Sequence, residues 1–264
     1  MHSTAAPRPQ PLAIVDGWPV NLADMNDAVS SILQAAARKD SFAVFTLNLD
    51  HLDKLRRLPR FRDAYAKARF ITADGAPVAM LAARQGARVE RTTGADLVAR
   101  MAVAAADRNV SVYLFGTTPG VLENAGHALM QTTGSRLRIA GSEAPPQGFD
   151  PEGPEADAAL DRIAASGASL CLVALGAPKQ ELFAARAVER NISVGFVCIG
   201  AGLDFIAGVQ SRAPGIMQRN GLEWAWRLAS NPRRLAVRYA RCALVLAEII
   251  LLSPIRSRLA RPRV

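Results

Sequence analysis

The 264-residue sequence has few cysteines, histidines and aromatic residues, and each shortage excludes a class of function. Cys171, Cys198 and Cys242 lie far apart in apolar surroundings, which leaves no disulfide frame and fits a reducing compartment. His2, His51 and His127 do not cluster, and no Asp-x-Asp, His-Glu-x-x-His or Cys-x-x-Cys motif occurs, so no metal site is expected. No Gly-x-x-x-x-Gly-Lys phosphate loop exists, and Gly200-Ala-Gly202 runs into Leu-Asp-Phe instead of completing a dinucleotide fingerprint. No apolar run reaches the ~18 residues that span a bilayer. The stretch 242–252 falls short and carries Glu248. Met1 to Pro11 is Pro/Ala-rich, without the apolar core of a signal peptide, and reads as a disordered tail. These absences predict a cytoplasmic protein that touches a membrane without crossing it.

The charge is confined to one segment. Of 32 basic and 23 acidic residues, 11 arginines and two acids (Glu223 and Glu248) lie between Arg212 and Val264. That segment therefore carries the whole net charge of +9, and residues 1–211 are neutral. It contains no lysine. Arginine offers a rigid fork that matches phosphate oxygens, so a diphosphate or an anionic surface is the expected partner; a solvated basic tail is the alternative. A nucleic-acid binder would want a basic body and interleaved aromatics, but the body is neutral and the tail offers only Trp224, Trp226 and Tyr239.

Half the residues are apolar, enough for one large α/β body. Leu12 to Val20 reads as a short strand pair. Continuous apolar runs at 41–46, 70–73, 110–115, 169–175 and 194–199, with a weaker one at 136–140, alternate with helical stretches of ten to fifteen residues. That rhythm predicts βαβ units and a Rossmann-like parallel sheet flanked by helices. The body is expected to span 12–211, with a helical, arginine-rich appendage over 212–264.

In open parallel sheets, ligands bind beyond the carboxyl ends of the strands. This rule selects the loops Thr46–Asn48, Asp74–Gly75, Gly116–Gly120, Gly176–Gln180 and Gly200–Asp204. Several place small residues before a helix start, where backbone N–H groups and the helix dipole favour phosphate. Asp74 follows a strand directly, as a general base would; as a structural residue it would cap the next helix. Asp204 has the same alternative, and Thr46 and Asn48 could simply satisfy backbone groups.

Together these loops resemble the WecG/TagA/CpsF glycosyltransferases, glycosyltransferase family 26. The matching stretches are Thr46-Leu-Asn48, Ala73-Asp74-Gly75, Glu90-Arg91-Thr-Thr-Gly-Ala-Asp96, Leu114-Phe-Gly116, Gly176-Ala-Pro-Lys-Gln-Glu181 and Gly200-Ala-Gly-Leu-Asp-Phe205. Arg212-Ala-Pro214, Gly221-Leu-Glu-Trp-Ala-Trp-Arg-Leu228 and Pro232-Arg-Arg-Leu235 complete the series in the family's order. The segment before Glu90 is shortened, and the apolar extension 242–252 lies beyond the motifs.

The resemblance implies inverting, metal-independent transfer from a UDP-sugar to a sugar on a polyprenyl diphosphate, for bacterial surface polysaccharide. The implied donors are UDP-N-acetylmannosamine, its uronic acid or UDP-glucose, and no cofactor is implied. Asp74 would be the base, with Thr46, Asn48, Arg91 and Gln180 around donor sugar and acceptor. Gly116, Gly176, Gly200, Gly202 and Asp204 would lie against the nucleotide. Arg212, Arg227, Arg233 and Arg234 would close over the diphosphate. Arg233, Arg234, Arg238 and Arg241 also outline a basic amphipathic helix with Leu235, Val237, Leu244 and Leu246, suited to an anionic membrane; packing as a core or dimer helix is the alternative. Homo-oligomers are permitted, and no nucleic-acid partner is expected.

Overall fold

The structure, a computed structural model, describes residues 7–219, 223–230 and 232–259. The chain opens with an antiparallel pair, β1 (Ala13–Val15) and β2 (Trp18–Val20). Helix α1 (Met25–Ala37) follows, capped by Asp24, whose carboxylate accepts from the Asn26 and Asp27 amides. Then come β3 (Phe42–Leu47), α2 (Leu49–Arg57), α3 (Pro59–Lys67), β4 (Phe70–Ala73), α4 (Ala76–Ala83), α5 (Gly94–Asp107), β5 (Val112–Gly116) and α6 (Pro119–Thr132). The body ends with β6 (Ile139–Glu143), α7 (Pro154–Ala165), β7 (Leu170–Ala174), α8 (Lys179–Glu189), β8 (Gly195–Cys198) and α9 (Gly202–Ile206). Three further helices follow: α10 (Gly215–Arg219), α11 (Glu223–Ser230) and α12 (Pro232–Leu259).

The six longer strands form one parallel sheet in the order β4-β3-β8-β7-β5-β6, the α/β architecture expected. Strands β3, β4, β5, β7 and β8 are buried along their whole length because both faces are covered, whereas the edge strand β6 is only partly buried. Successive side chains divide between two cores. On β3, Phe42 and Val44 join one, against α1, α5 and α6; Ala43, Phe45 and Leu47 join the other, against α2, α3, α4, α7 and α8. The strands β5, β7 and β8 divide in the same way, so the period-two alternation is present but masked in the sequence.

Two elements depart from the sequence reading. The chain breaks at Leu58, whose backbone is extended, and Pro59 opens α3, which the sequence reading left unassigned. The edge strand begins at Ile139 rather than near Arg136, because Gly134 and Ser135 both take positive φ in a turn after α6. The appendage helix α12 packs along α2. Leu235, Cys242 and Val245 are buried, Val245 in the body core, with Leu246, Ile249 and Ile250 partly buried against that core. Among the described residues, no helix is long and apolar enough to cross a membrane.

Candidate active site

The carboxyl ends of β3 and β4 pair in register, Leu47 opposite Ala73, and this brings two predicted residues together. Asn48 caps α2: its Oδ1 accepts from the His51 amide at 3.0 Å. Its Nδ2 donates to Asp74 Oδ2 at 3.4 Å. Asp74 is placed by its own amide, which donates to the Leu47 carbonyl at 2.7 Å, and by Gly75 at φ 101°, a turn that any other residue would make under strain. Both side chains are half-buried, whereas Thr46 is buried beneath them. Asn48 thus fills the backbone role expected of it, and Gly75, not Asp74, stands at the N-cap of α4, which has no side-chain cap.

The glycine loops line the same edge. Gly116, at φ 117°, lies so close to β7 that a Cβ there would meet the Ala174 carbonyl oxygen at 2.4 Å. Thr117 takes φ 50°, unusual for a β-branched residue, and its hydroxyl donates to Asp204 Oδ1 at 3.3 Å. That bond ties the loop after β5 to the loop after β8. Gly176 and Gly200 also take positive φ, and Gly202 packs on Val98. Gln180 is buried rather than facing the edge. Its Oε1 accepts from the Gly200 amide at 3.0 Å, and its Nε2 donates to Glu181 Oε1 at 2.7 Å.

Arg91 joins this edge through its backbone, which bridges to Ala73, and its side chain enters a cluster of alternating charge. Arg212 Nη1 donates to Asp96 Oδ1 at 2.5 Å, and its Nη2 lies 3.7 Å from Glu223 Oε2. Arg91 lies 3.7 Å from Asp96 and 3.7 Å from Glu223. Burial pulls the Arg212 guanidinium down, but the bond to Asp96 and the charges of Asp96, Glu223 and Asp74 raise it above the usual arginine range. Burial likewise pushes Asp96 up, and Arg212 and Thr93 more than reverse it. Nε and Nη2 of Arg212 are buried with no hydrogen-bond partner among the described residues, and Phe205 lies under the guanidinium, 5.7 Å from ring centroid to Cζ. A guanidinium with unspent donors, beside a second arginine, is suited to phosphate oxygens. Arg233 is exposed on α12, and the side chains of Arg227 and Arg234 lie outside the described residues.

Sequence reasoning passed over three participants. Glu223 and Asp96 hold the arginines, and Thr117 holds Asp204. Glu223 left a trace in the sequence, as one of only two acids in the arginine-rich segment. Its partners are remote in sequence, so only folding brings them together. The sequence profile of the glycosyl transferase WecG/TagA/CpsF family matches residues 13–260, nearly the whole chain and every loop of this edge. The chain therefore belongs to that family, the glycosyltransferases of bacterial polysaccharide synthesis.

Proposed function

We propose that the protein transfers a sugar from a UDP-sugar to a sugar carried on a polyprenyl diphosphate, with inversion and with arginines, not a metal ion, against the diphosphate. The observation that carries this reading is Asp74, held by Asn48 at the carboxyl edge and within electrostatic reach of Arg212. Asp74 takes the proton of the acceptor hydroxyl as its oxygen attacks the anomeric carbon from the face opposite UDP. The bond from that carbon to the β-phosphate oxygen breaks, and its electron pair leaves with UDP. A placed base contributes about 10²–10⁴-fold to such a step. Positive charge where the diphosphate charge develops supplies the other large contribution.

Thr46, Asn48 and Arg91 border the donor sugar and acceptor, and Gln180 acts from beneath through the Gly200 turn. Gly116, Gly176, Gly200, Gly202 and Asp204 face the nucleotide. Arg212 neutralises the diphosphate, joined by Arg227, Arg233 and Arg234 when the appendage closes. Residues 12–211 form the catalytic body and 212–264 the appendage. Val237, Leu244 and Leu251, spaced seven apart and each more than 60% exposed, form an apolar stripe on the outer face of α12, with Arg233 and Arg241 exposed on the same helix. That stripe supports peripheral attachment to the cytoplasmic leaflet, where each arginine near anionic lipid contributes ~1 kcal/mol.

The test is UDP release from a panel of UDP-hexoses with a prenyl-diphosphate-linked sugar, in EDTA, for wild type and Asp74→Asn. Acceptor-dependent release that survives EDTA and collapses in the variant is expected. Release abolished by EDTA, or undiminished in Asp74→Asn, overturns the assignment.

A further inference from the structure

Glu181 is a fully buried carboxyl with no place in the transfer step. It lies on α8 under the loop after β8, among His51, Asp50 and Lys54 of α2, Tyr65 of α3 and Cys198 of β8. Tyr65 Oη and His51 Nδ1 are 2.5 Å apart, and His51 Nε2 is 3.8 Å from Glu181 Oε1, too long for a hydrogen bond. Its Oε1 accepts the Gln180 amide, while its Oε2 has no side-chain partner among the described residues.

The direction of that contact is fixed by chemistry. A glutamine amide has one accepting end and one donating end. The Gly200 backbone N–H can only donate, so Gln180 must present Oε1 to it, and its Nε2 then needs an acceptor. Glu181 Oε1 is that acceptor. Without it, a buried N–H₂ would stand unpaired, and leaving a buried donor unsatisfied outweighs the usual net gain of a hydrogen bond. Gln180 would turn or withdraw, releasing Gly200, which takes φ 56°. Burial raises the Glu181 carboxyl from 4.5 to about 7 and holds His51 near 3, so at neutral pH His51 is uncharged and no ion pair between them competes for Oε1.

We infer that Glu181 is a positioning residue of the transfer site: by accepting from Gln180 it holds the Gly200–Gly202 turn against the nucleotide. The link to the nucleotide rests on the function proposed above; the hold on the turn does not. Glutamine in place of Glu181 is neutral and keeps the acceptor oxygen, whereas leucine is neutral and removes it.

Two measurements on Glu181→Gln and Glu181→Leu separate these parts. Backbone amide exchange over 199–202 is expected to quicken at least tenfold in Glu181→Leu, with Gly116–Thr118 unchanged, and to stay at the wild-type rate in Glu181→Gln. UDP affinity, by calorimetry, is expected to fall about tenfold in Glu181→Leu only, with kcat on saturating donor within about threefold of wild type. If Glu181→Leu does not fold, Gln180→Asn, too short to bridge Glu181 and Gly200, is expected to loosen the same turn. Unchanged exchange in the variant that breaks the bridge, or equal loosening in Glu181→Gln, overturns the inference. Loosening of the turn in Glu181→Leu, where the wild-type protein binds no UDP, leaves the inference standing and overturns the function it was linked to.

Discussion

Asn48 joins two tasks in one side chain: its Oδ1 caps α2 through the His51 amide, and its Nδ2 donates to Asp74 Oδ2 at 3.4 Å. The start of α2 thereby aims the carboxylate at the end of β4. The same helix is held from outside by α12, where Arg238 Nε lies 3.0 Å from Asp50 Oδ1. The appendage and the carboxylate are thus two contacts apart.

Asn48→Ala should lower both stability and turnover. Loss of the cap costs about 1 kcal/mol. Loss of the Asp74 contact should reduce kcat roughly tenfold, against the 10²–10⁴-fold expected for Asp74→Asn. Urea midpoints and UDP release measure the two effects separately, and a kcat equal to wild type would remove Asn48 from the site.

Glu223 and the diphosphate should compete for Arg91 and Arg212. Glu223→Gln is expected to tighten UDP binding by roughly three- to tenfold at low salt, with the gain shrinking as salt screens it. Arg212→Ala should weaken UDP binding more than tenfold, and Arg212→Lys should not fully rescue it, because an ammonium lacks the fork. Equal UDP affinity in Glu223→Gln and wild type would mean that the glutamate merely braces the cluster.

Glu181 and His51 should act on stability in opposite directions. Burial raises Glu181 from 4.5 to about 7, so its contribution is full below pH 4.5 and is lost as pH rises toward 7. Burial lowers His51 from 6.5 to about 3, so its contribution is full above pH 6.5 and is lost as pH falls toward 3. Each slope is at most about 1.4 kcal/mol per pH unit. Glu181→Gln should therefore gain on wild type as pH rises from 4.5 to 7, in urea melts taken across that range. Parallel curves would mean that Glu181 titrates as an ordinary carboxyl.

Adjacent positions on α12 should respond oppositely to change. Leu244 is 65% exposed, so Leu244→Glu should alter stability by less than about 0.5 kcal/mol yet reduce flotation with anionic liposomes. Val245 is buried against the body, so Val245→Ala should cost roughly 2 kcal/mol. Flotation unchanged in Leu244→Glu would remove the outer stripe from membrane attachment.

Gly116→Ala should be among the most damaging single-methyl additions. The new Cβ would fall 2.4 Å from the Ala174 carbonyl oxygen, on backbone that cannot yield, at a positive φ. A loss of about 2–4 kcal/mol is expected in urea unfolding.

Much of this was legible because it is local. Continuous apolar runs mark strands buried on both faces, and Asp24, Asn48 and Thr93 mark helix starts through short side chains that accept from nearby amides. The five loops of the carboxyl edge were found by the same logic, since each follows a strand directly. What stayed hidden depends on distant partners. Gln180 reads as a pocket residue in its motif, yet its amide is turned inward to Glu181 and Gly200. Leu235 and Leu246 read as one face of a membrane helix with Val237 and Leu244, yet Leu235 is buried and Leu246 packs on the body while Val237 and Leu244 turn outward.

The sequence by itself determined the parallel α/β class, the strand-end loops that share the carboxyl edge and the confinement of positive charge to one segment, because periodicity, strand-end loops and composition are properties of the chain read in order. Tertiary structure decided which charges meet. It placed Glu223 and Asp96 between Arg91 and Arg212, set Glu181 beneath the Gly200 turn, and divided α12 into a packed face and an exposed one. Contacts between residues a hundred positions apart depend on the register in which helices dock on the sheet, and no local pattern encodes that register.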